Sequence, residues 1–177
     1  MKRLAGLLRA VNVGGRKVLM ADLKRVATEA GFDAPATLLA SGNLVFGTTL
    51  PAPEAASRLE AAILRDLGVA TDVMVRDLAQ IEAVIAANPF PEQARTEPSR
   101  LMAMFLTGAP QADVSSLDVG CVMGEAVRAG PGCIYIWFPQ GAGVSKLGGG
   151  FIERRLGVRG TARNWNTVGK LAAFLAP

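Results

Sequence analysis

Two amphipathic segments, each closed by a glycine and flanked by short apolar runs, restrict what the first 76 residues can become. In Met20–Ala30 the residues Leu19, Leu23, Val26, Ala27 and Ala30 recur at helical spacing, and Gly31 stands where a helix ends on a left-handed residue. Pro51-Ala52-Pro53 opens a second helix with Leu59, Ile63, Leu64 and Leu67 inward and Gly68 beyond its end. The apolar runs Arg3–Arg9, Ala36–Ala40, Leu44–Phe46 and Thr71–Val75 are too short for helices and read as strands. Ser41-Gly42-Asn43, residues that tolerate positive φ, makes the tight turn between the middle two. The order is βαββαβ, the ferredoxin-like plan of an α+β protein.

The same order partly returns after a connection. Asp77 caps a linking helix whose apolar positions are Leu78, Ile81, Val84 and Ile85, and Asn88-Pro89 stops it. Phe90–Ser99, with two prolines and three charged residues, reads as an exposed linker. Leu101–Leu106 is then a strongly apolar strand and Ala109–Leu117 a short helix. Glu125–Arg128 and Cys133–Phe138 form a hairpin around Gly130-Pro131-Gly132. Phe151–Leu156 is a helix ended by Gly157, Val158–Ala162 a strand and Asn166–Leu175 a last helix. The expected organisation is a ferredoxin-like half over residues 1–76, a helix and linker over 77–99, and a second half with a C-terminal helix over 100–177. No residue-level repeat is visible between the halves.

The chain contains no histidine, which removes Ser-His and Cys-His pairs, histidine base catalysis and most catalytic zinc sites. Cys121 and Cys133 are too few for a disulfide framework or a four-cysteine metal site and read as ordinary buried thiols. No metal or cofactor is called for. No apolar run reaches the length of a membrane span, and the N-terminus lacks the core of a signal peptide, so a cytoplasmic protein without a membrane partner is expected. Charge is unevenly placed. Residues 1–76 carry ten Lys/Arg against seven Asp/Glu, residues 77–140 three against seven, and residues 141–177 six against one. Two basic ends around an acidic middle suit an anionic partner, although a solvated arginine-rich surface explains them equally.

The first loop, Arg9-Ala10-Val11-Asn12-Val13-Gly14-Gly15-Arg16-Lys17, leaves a strand and precedes a helix, the usual address of a site on such a scaffold. It is not a Walker loop, and Gly141-Ala142-Gly143-Val144-Ser145-Lys146 fails the dinucleotide pattern at Lys146. Gly14 and Gly15 still offer backbone N–H groups for an anion nest, with Arg9 or Lys17 adding charge and Asn12 a polar side chain; a plain turn is the competing reading. Ser145 and Lys146 are adjacent and project differently, so a Ser-Lys dyad is disfavoured and Lys146 reads as an anion contact. Gly148-Gly149-Gly150 weakens any helix there and suggests a slack segment. Arg163-Asn164-Trp165-Asn166-Thr167 is the richest polar cluster. A helix cap accounts for Asn166 or Thr167, whereas Arg163, Asn164 and Trp165 suit an anion and a stacked base. Trp137 reads as core. The first strand carries no aromatic, which argues against single-strand RNA recognition by this sheet.

Leu7-Leu8-Arg9-x-Val11-Asn12-Val13-Gly14-Gly15, Ser41-Gly42-Asn43-Leu44-Val45-Phe46, Ser145-Lys146-Leu147 and Thr161-x-Arg163-Asn164-Trp165-Asn166-Thr167-Val168-x-Lys170-Leu171 together resemble the bacterial "domain of unknown function 1697" proteins. The resemblance implies two ferredoxin-like halves and brings no established activity. Two positions depart from it: Ala10 stands where a glycine is expected, and Gly148–Gly150 replace a more polar helix start. The residues themselves lead to an uncharacterised protein that binds a small anionic or nucleotide-like ligand. The expected site combines Arg9, Asn12, Gly14, Gly15 and Lys17 with Ser41, Gly42 and Asn43, with Ser145 and Lys146, and with Arg163 through Thr167. Nucleic-acid binding by the basic ends is the alternative. A third reading is an enzyme without histidine, in which Lys146 or Lys17 acts with Arg163 on developing negative charge.

Overall fold

A computed structural model describes residues 1–12 and 17–176. The elements run β1 (Lys2–Leu8), α1 (Met20–Glu29), β2 (Asp33–Leu38), β3 (Asn43–Thr48), α2 (Ala52–Leu67), β4 (Val73–Arg76), α3 (Leu78–Ala86), α4 (Pro91–Thr96) and β5 (Leu101–Leu106). A 3₁₀ helix (Val114–Gly120), β6 (Ala126–Gly130), β7 (Cys133–Trp137), a short 3₁₀ turn (Ala142–Val144), α5 (Gly149–Leu156), β8 (Gly160–Asn164) and α6 (Trp165–Leu175) follow. They build two antiparallel four-stranded sheets, ordered β2-β3-β1-β4 and β6-β7-β5-β8. Both orders are those of a ferredoxin-like sheet, so the chain is an α+β protein of two such halves.

By contacts the chain divides into unit 1, residues 1–79 with 171–177, and unit 2, residues 80–170. The boundaries fall inside α3 and α6. Each closing helix therefore starts from the last strand of one sheet and ends in the unit of the other.

In unit 1, α1 and α2 cover one face of the sheet. Leu23, Val26 and Ala27 of α1 and Ala55, Leu59 and Ile63 of α2 meet Leu4, Leu8, Leu44, Phe46, Val73 and Val75. Burying each large side chain is worth about 1.5–3 kcal/mol. Phe32 packs edge-on against Phe46 with centroids 4.6 Å apart. Gly68 ends α2 at φ +66 as its position in the sequence implies. Two residues expected inside are outside: Leu19 is 64% exposed and Leu64 53% exposed. Leu19 precedes the first helical residue, and Leu64 lies beside Ile63 on the rim of the apolar stripe rather than at its centre. The edge strand β2 accommodates Pro35 and a register shift between Asp33 and Ala36. On the other face of the sheet, Arg3 lies over the ring of Phe174 from α6, 5.7 Å from its centroid.

In unit 2 the place of α1 is taken by the 3₁₀ helix. Val114, Ser115, Ser116, Val119 and Gly120 are poor helix formers, so the expected α-helix over Ala109–Leu117 is replaced by this later, tighter segment. Phe90–Ser99, expected as a plain linker, contains α4, which Pro91 opens. The glycines expected to slacken residues 148–150 start α5 instead: Gly148 caps it, and its carbonyl accepts from the N–H groups of Phe151 and Ile152. β8 begins two residues later than expected because pairing with β5 starts at Leu106 opposite Gly160. The helix-facing layer includes Met104, Leu106, Ile134, Ile136, Val127, Ile152 and Leu156. On the opposite face, the fully buried Tyr135 donates its hydroxyl to the Val84 carbonyl of α3 at 2.7 Å and lies against Trp165 with centroids 6.3 Å apart. Its pKa is raised, chiefly by burial and then by Cys133.

The registers expose a repeat that the aligned residues do not advertise. Ala5 of β1 stands opposite Arg76 of β4 and Val45 of β3; Ala103 of β5 stands opposite Arg163 of β8 and Tyr135 of β7. Both alanines are fully buried. Arg76 and Arg163 each fold back to donate to the preceding carbonyl, of Val75 and Ala162, at 2.9 Å in both cases. Asp77 and Asn164 follow, and a helix starts at the next residue, burying Ile81 and Val84 in α3 and Val168 and Leu171 in α6. Leu67-Gly68-Val69 matches Leu156-Gly157-Val158, with both glycines left-handed. Glu60 accepts the N–H of Val73 at 2.8 Å, and Glu153 that of Gly160 at 3.1 Å, the first residue of the fourth strand in each sheet.

Because the Tyr135 hydroxyl satisfies a buried carbonyl of α3, Tyr135→Phe is expected to lower unfolding free energy by about 1–2 kcal/mol. Urea denaturation measures it, and an unchanged midpoint would mean that this bond holds nothing.

Candidate functional site

Five of the expected site residues come together at one end of the unit 1 sheet. β1 delivers Arg9 to a corner where its N–H donates to the Asp72 carbonyl at 2.9 Å and its carbonyl accepts from the Thr71 hydroxyl at 2.7 Å. Its guanidinium is 3.9 Å from the Asp72 carboxylate. Beyond it, Asn12 bridges two segments. Its side-chain amide donates to the Ala40 carbonyl at 2.7 Å, and its side-chain oxygen accepts from the Val18 N–H at 2.8 Å. The Asn12 side chain thus ties both ends of the loop to the β2–β3 turn. In that turn the fully buried Asn43 donates to the Leu38 carbonyl and to the Ser41 hydroxyl. Gly42, at φ +72, lies under Val11: a Cβ there would sit 2.4 Å from the Val11 side chain. Lys17 is exposed. Gly14 and Gly15 lie outside the described residues.

Backbone strain gathers at the same place. Four described non-glycine residues have positive φ, and three of them, Ala10 at 53°, Asn12 at 57° and Leu39 at 61°, lie in the chain that leaves β1 and in the β2–β3 turn. Leu39 is 48% exposed, so packing does not repay its conformation. The left-handed backbone at Ala10 gives a physical reason for the glycine expected there.

The remaining expected residues belong to unit 2, where they divide between opposite edges of the sheet. Ser145 donates its hydroxyl to Glu125, next to the β6 edge, and accepts the N–H of Leu147 at 3.1 Å. Arg163 lies on the other edge, three strand spacings or about 14 Å away. Lys146 is exposed. The cluster over residues 163–167 is corrected in its details. Arg163 is a strand residue only 6% exposed, bonded to the Thr161 hydroxyl at 2.7 Å as well as to Ala162. Burial pulls its pKa down to about 10, which leaves it protonated at neutral pH. The helix cap is neither Asn166 nor Thr167 but Asn164, whose side-chain oxygen accepts the N–H and the hydroxyl of Thr167, each at 3.0 Å. Trp165 is half-buried against Tyr135, and Asn166 is exposed. These residues make the junction between β8 and α6 rather than an open stacking platform. Trp137, expected in the core, is half-buried at the end of β7.

Glu125 was not singled out by sequence. It is a carboxylate 8% exposed, and burial opposes its ionisation. Hydrogen bonds from the Ser145 hydroxyl and the Met123 N–H outweigh that and hold its pKa below the ordinary value. Cys121 is half-buried and Cys133 buried, and neither is in a disulfide; burial, then Asp118 and Glu125, push the Cys121 thiol up, away from nucleophilic use. Unit 2 carries recesses away from these residues. One of about 270 Å3 separates the 3₁₀ helix from β6. Another, of about 420 Å3, lies between the end of β5 and the end of α5. None of the expected site residues lines either. The signal for the second was the repeated Leu-Gly-Val, which marks the same corner in both halves. Among the described residues no group of three or more Cys, Asp or Glu is placed to hold a metal ion, and no described helix is long and apolar enough to cross a membrane.

A family model described as protein of unknown function (DUF1697) matches residues 1–135. The chain belongs to the DUF1697 family. The DUF1697 match ends before the Ser145-Lys146-Leu147 and Thr161–Leu171 motifs, but the fold likeness continues through them. The structure of a conserved bacterial protein, SP0830 from Streptococcus pneumoniae, matches with a TM-score of 0.75 and 22% identity over 99% of this chain and 98% of that one. At that identity the likeness establishes the shared fold. No curated protein matches the sequence.

Two outcomes test this geometry. Ala10→Gly relieves a left-handed alanine and is expected to raise stability by about 0.5–1 kcal/mol in thermal or urea denaturation, once glycine's entropy is subtracted. The folded pKa of Glu125 lies below its unfolded value of about 4.3, so its contribution is complete above that value and disappears as pH falls through the folded one. Glu125→Gln should therefore flatten the acid limb of a stability-versus-pH curve, and an unchanged limb would show that the carboxylate contributes nothing to it.

Proposed function

We propose that this DUF1697 chain binds a small anionic, nucleotide-like ligand through the loop that leaves β1, with Arg9 and Lys17 supplying the positive charge. The observation that carries the reading is the strain at this corner: Ala10, Asn12 and Leu39 all hold left-handed backbone around one turn. Each costs on the order of 1–2 kcal/mol, and such conformations gather where a site is pre-organised. Asn12 and Asn43 are positioning residues here, because their amides hold the loop base. Lys17, exposed at the far end of the loop, is the contact that a ligand would meet without disturbing the fold.

Exposed Arg154 and Arg155 on the last turn of α5 favour a second reading, contact with a nucleic-acid backbone from the basic C-terminal segment. The two separate cleanly. A panel of inorganic phosphate and nucleotides is expected to include one that stabilises the protein by about 2.7 kcal/mol at a hundred times its Kd, with the gain lost in Lys17→Ala. A panel that stabilises nothing removes the first reading. Salt-sensitive anisotropy of labelled oligonucleotides, lost in Arg154→Ala/Arg155→Ala, would put the second in its place.

A further inference from the structure

Two irregular segments of unit 2 meet beside the β6 edge, and they approach closely. A Cβ on Gly120 would sit 2.7 Å from the Leu147 side chain and 2.9 Å from the Phe151 ring, so the approach requires glycine. It brings the Ser145 hydroxyl onto the carboxylate of Glu125, 20 residues away in the chain. One Glu125 oxygen accepts the Met123 N–H at 2.7 Å, which leaves the other turned to Ser145. Ser145 Oγ in turn accepts the Leu147 N–H at 3.1 Å and makes no further bond among the described residues. A hydroxyl has one proton and two lone pairs, so one lone pair on this oxygen is left without a partner. A hydroxyl bonded to a base that a third group orients is the arrangement of an activated nucleophile. Glu125 stands where other proteins use the histidine that this chain lacks.

We propose that Ser145 and Glu125 form a catalytic pair that hydrolyses carboxylic esters with a small apolar acyl group. Ser145 Oγ attacks the ester carbonyl carbon while Glu125 takes its proton. The bond to the alcohol oxygen then breaks, and Glu125 returns the proton to that oxygen, leaving an acyl-serine. Water attacks the acyl-serine and gives its proton to Glu125, which passes it to Ser145 Oγ as the carboxylic acid departs. Ser145 is half-buried, and Val144 and Lys146 on either side of it are exposed. Negative charge that gathers on the carbonyl oxygen has donors close by in the chain. Lys146 is exposed and pairs with no carboxylate, and α5 starts without a side-chain cap. The N–H groups of Gly149 and Gly150 in its first turn find no acceptor among the described residues. Nothing lies within 4 Å of a Cβ placed on Gly148 or Gly149, so the space beside this turn is open. The acyl group has an apolar surface to meet: Val122, Met123 and Val144, adjoining the pair, are 56%, 39% and 60% exposed.

The test treats the full-length protein with a fluorophosphonate, which labels nucleophilic serines, and with p-nitrophenyl acetate and butyrate. Mass spectrometry of the digested wild type is expected to place the phosphonyl group on Ser145, and both esters are expected to be turned over. Glu125→Gln should slow labelling and turnover by about a hundredfold, and Ser145→Ala should abolish both, with circular dichroism showing that each variant is folded. A wild type labelled elsewhere or not at all overturns the proposal, and that readout needs no variant to fold. Ester hydrolysis that survives Ser145→Ala, or labelling indifferent to Glu125→Gln, overturns it as well. The phosphate and nucleotide reading of the unit 1 loop is untouched by any of these outcomes, since it concerns other residues and another class of ligand.

Discussion

In both sheets a buried alanine of the first strand stands opposite an arginine of the fourth, and the rest of each unit depends on that register. Side chains alternate across a strand, so a slip of one residue would turn the whole apolar set away from the helices. With Ala5 opposite Arg76, the residues Leu4 and Leu8 meet α1 and α2; with Ala103 opposite Arg163, Met104 and Leu106 join the corresponding layer beneath α5. Alanine leaves room beside a long neighbour. The arginine uses its guanidinium on the backbone of its own edge strand, which also occupies a carbonyl that an edge would otherwise offer to another chain. Arg128 does the same to Val127 on the remaining edge of the second sheet. The next residue is Asp or Asn and the next begins a helix, so the register also fixes where the chain leaves each sheet.

One corner, repeated, has taken two chemical forms. In unit 1 it carries the Arg9–Asp72 pair, 3.9 Å apart, and a loop whose base is pinned by asparagine side chains. In unit 2 it opens into a recess with Glu153 and Arg159 on its wall. The helix-to-strand connection is the same in both, a left-handed glycine followed by valine, because leaving a helix to join an antiparallel edge makes the same demand on the backbone in each unit.

Three of the asparagines that the sequence singles out bond to backbone groups. Asn12, Asn43 and Asn164 were singled out because an amide offers a donor and an acceptor together. The same property suits backbone groups that lose their partners where a strand or helix ends. Ala40, Leu38, Val18 and Thr167 supply those groups here. Arg163 stands beside these residues in the chain, and pairing with Ala103 places it, buried, in the edge strand β8. The recess residues Thr107, Gln111, Glu153 and Arg159 come from separate segments, and no local pattern links them.

Most of the architecture was legible. The spacing of Leu23, Val26 and Ala27, the prolines at 51 and 53, and the glycines at 31, 68 and 157 place helices and their ends through local backbone preferences that need no tertiary partner. The apolar runs give the strands, and their order gives the ferredoxin-like plan of both halves. The sequence by itself therefore determined the elements, their succession and the absence of histidine chemistry. Register, the crossing of α3 and α6 from one unit to the other, the replacement of an α-helix by a 3₁₀ segment, and the division of polar residues between anchors and pocket walls were decided only by tertiary structure. Each depends on which groups meet across long stretches of chain, and that is settled by packing and by the satisfaction of buried backbone groups rather than by local propensity.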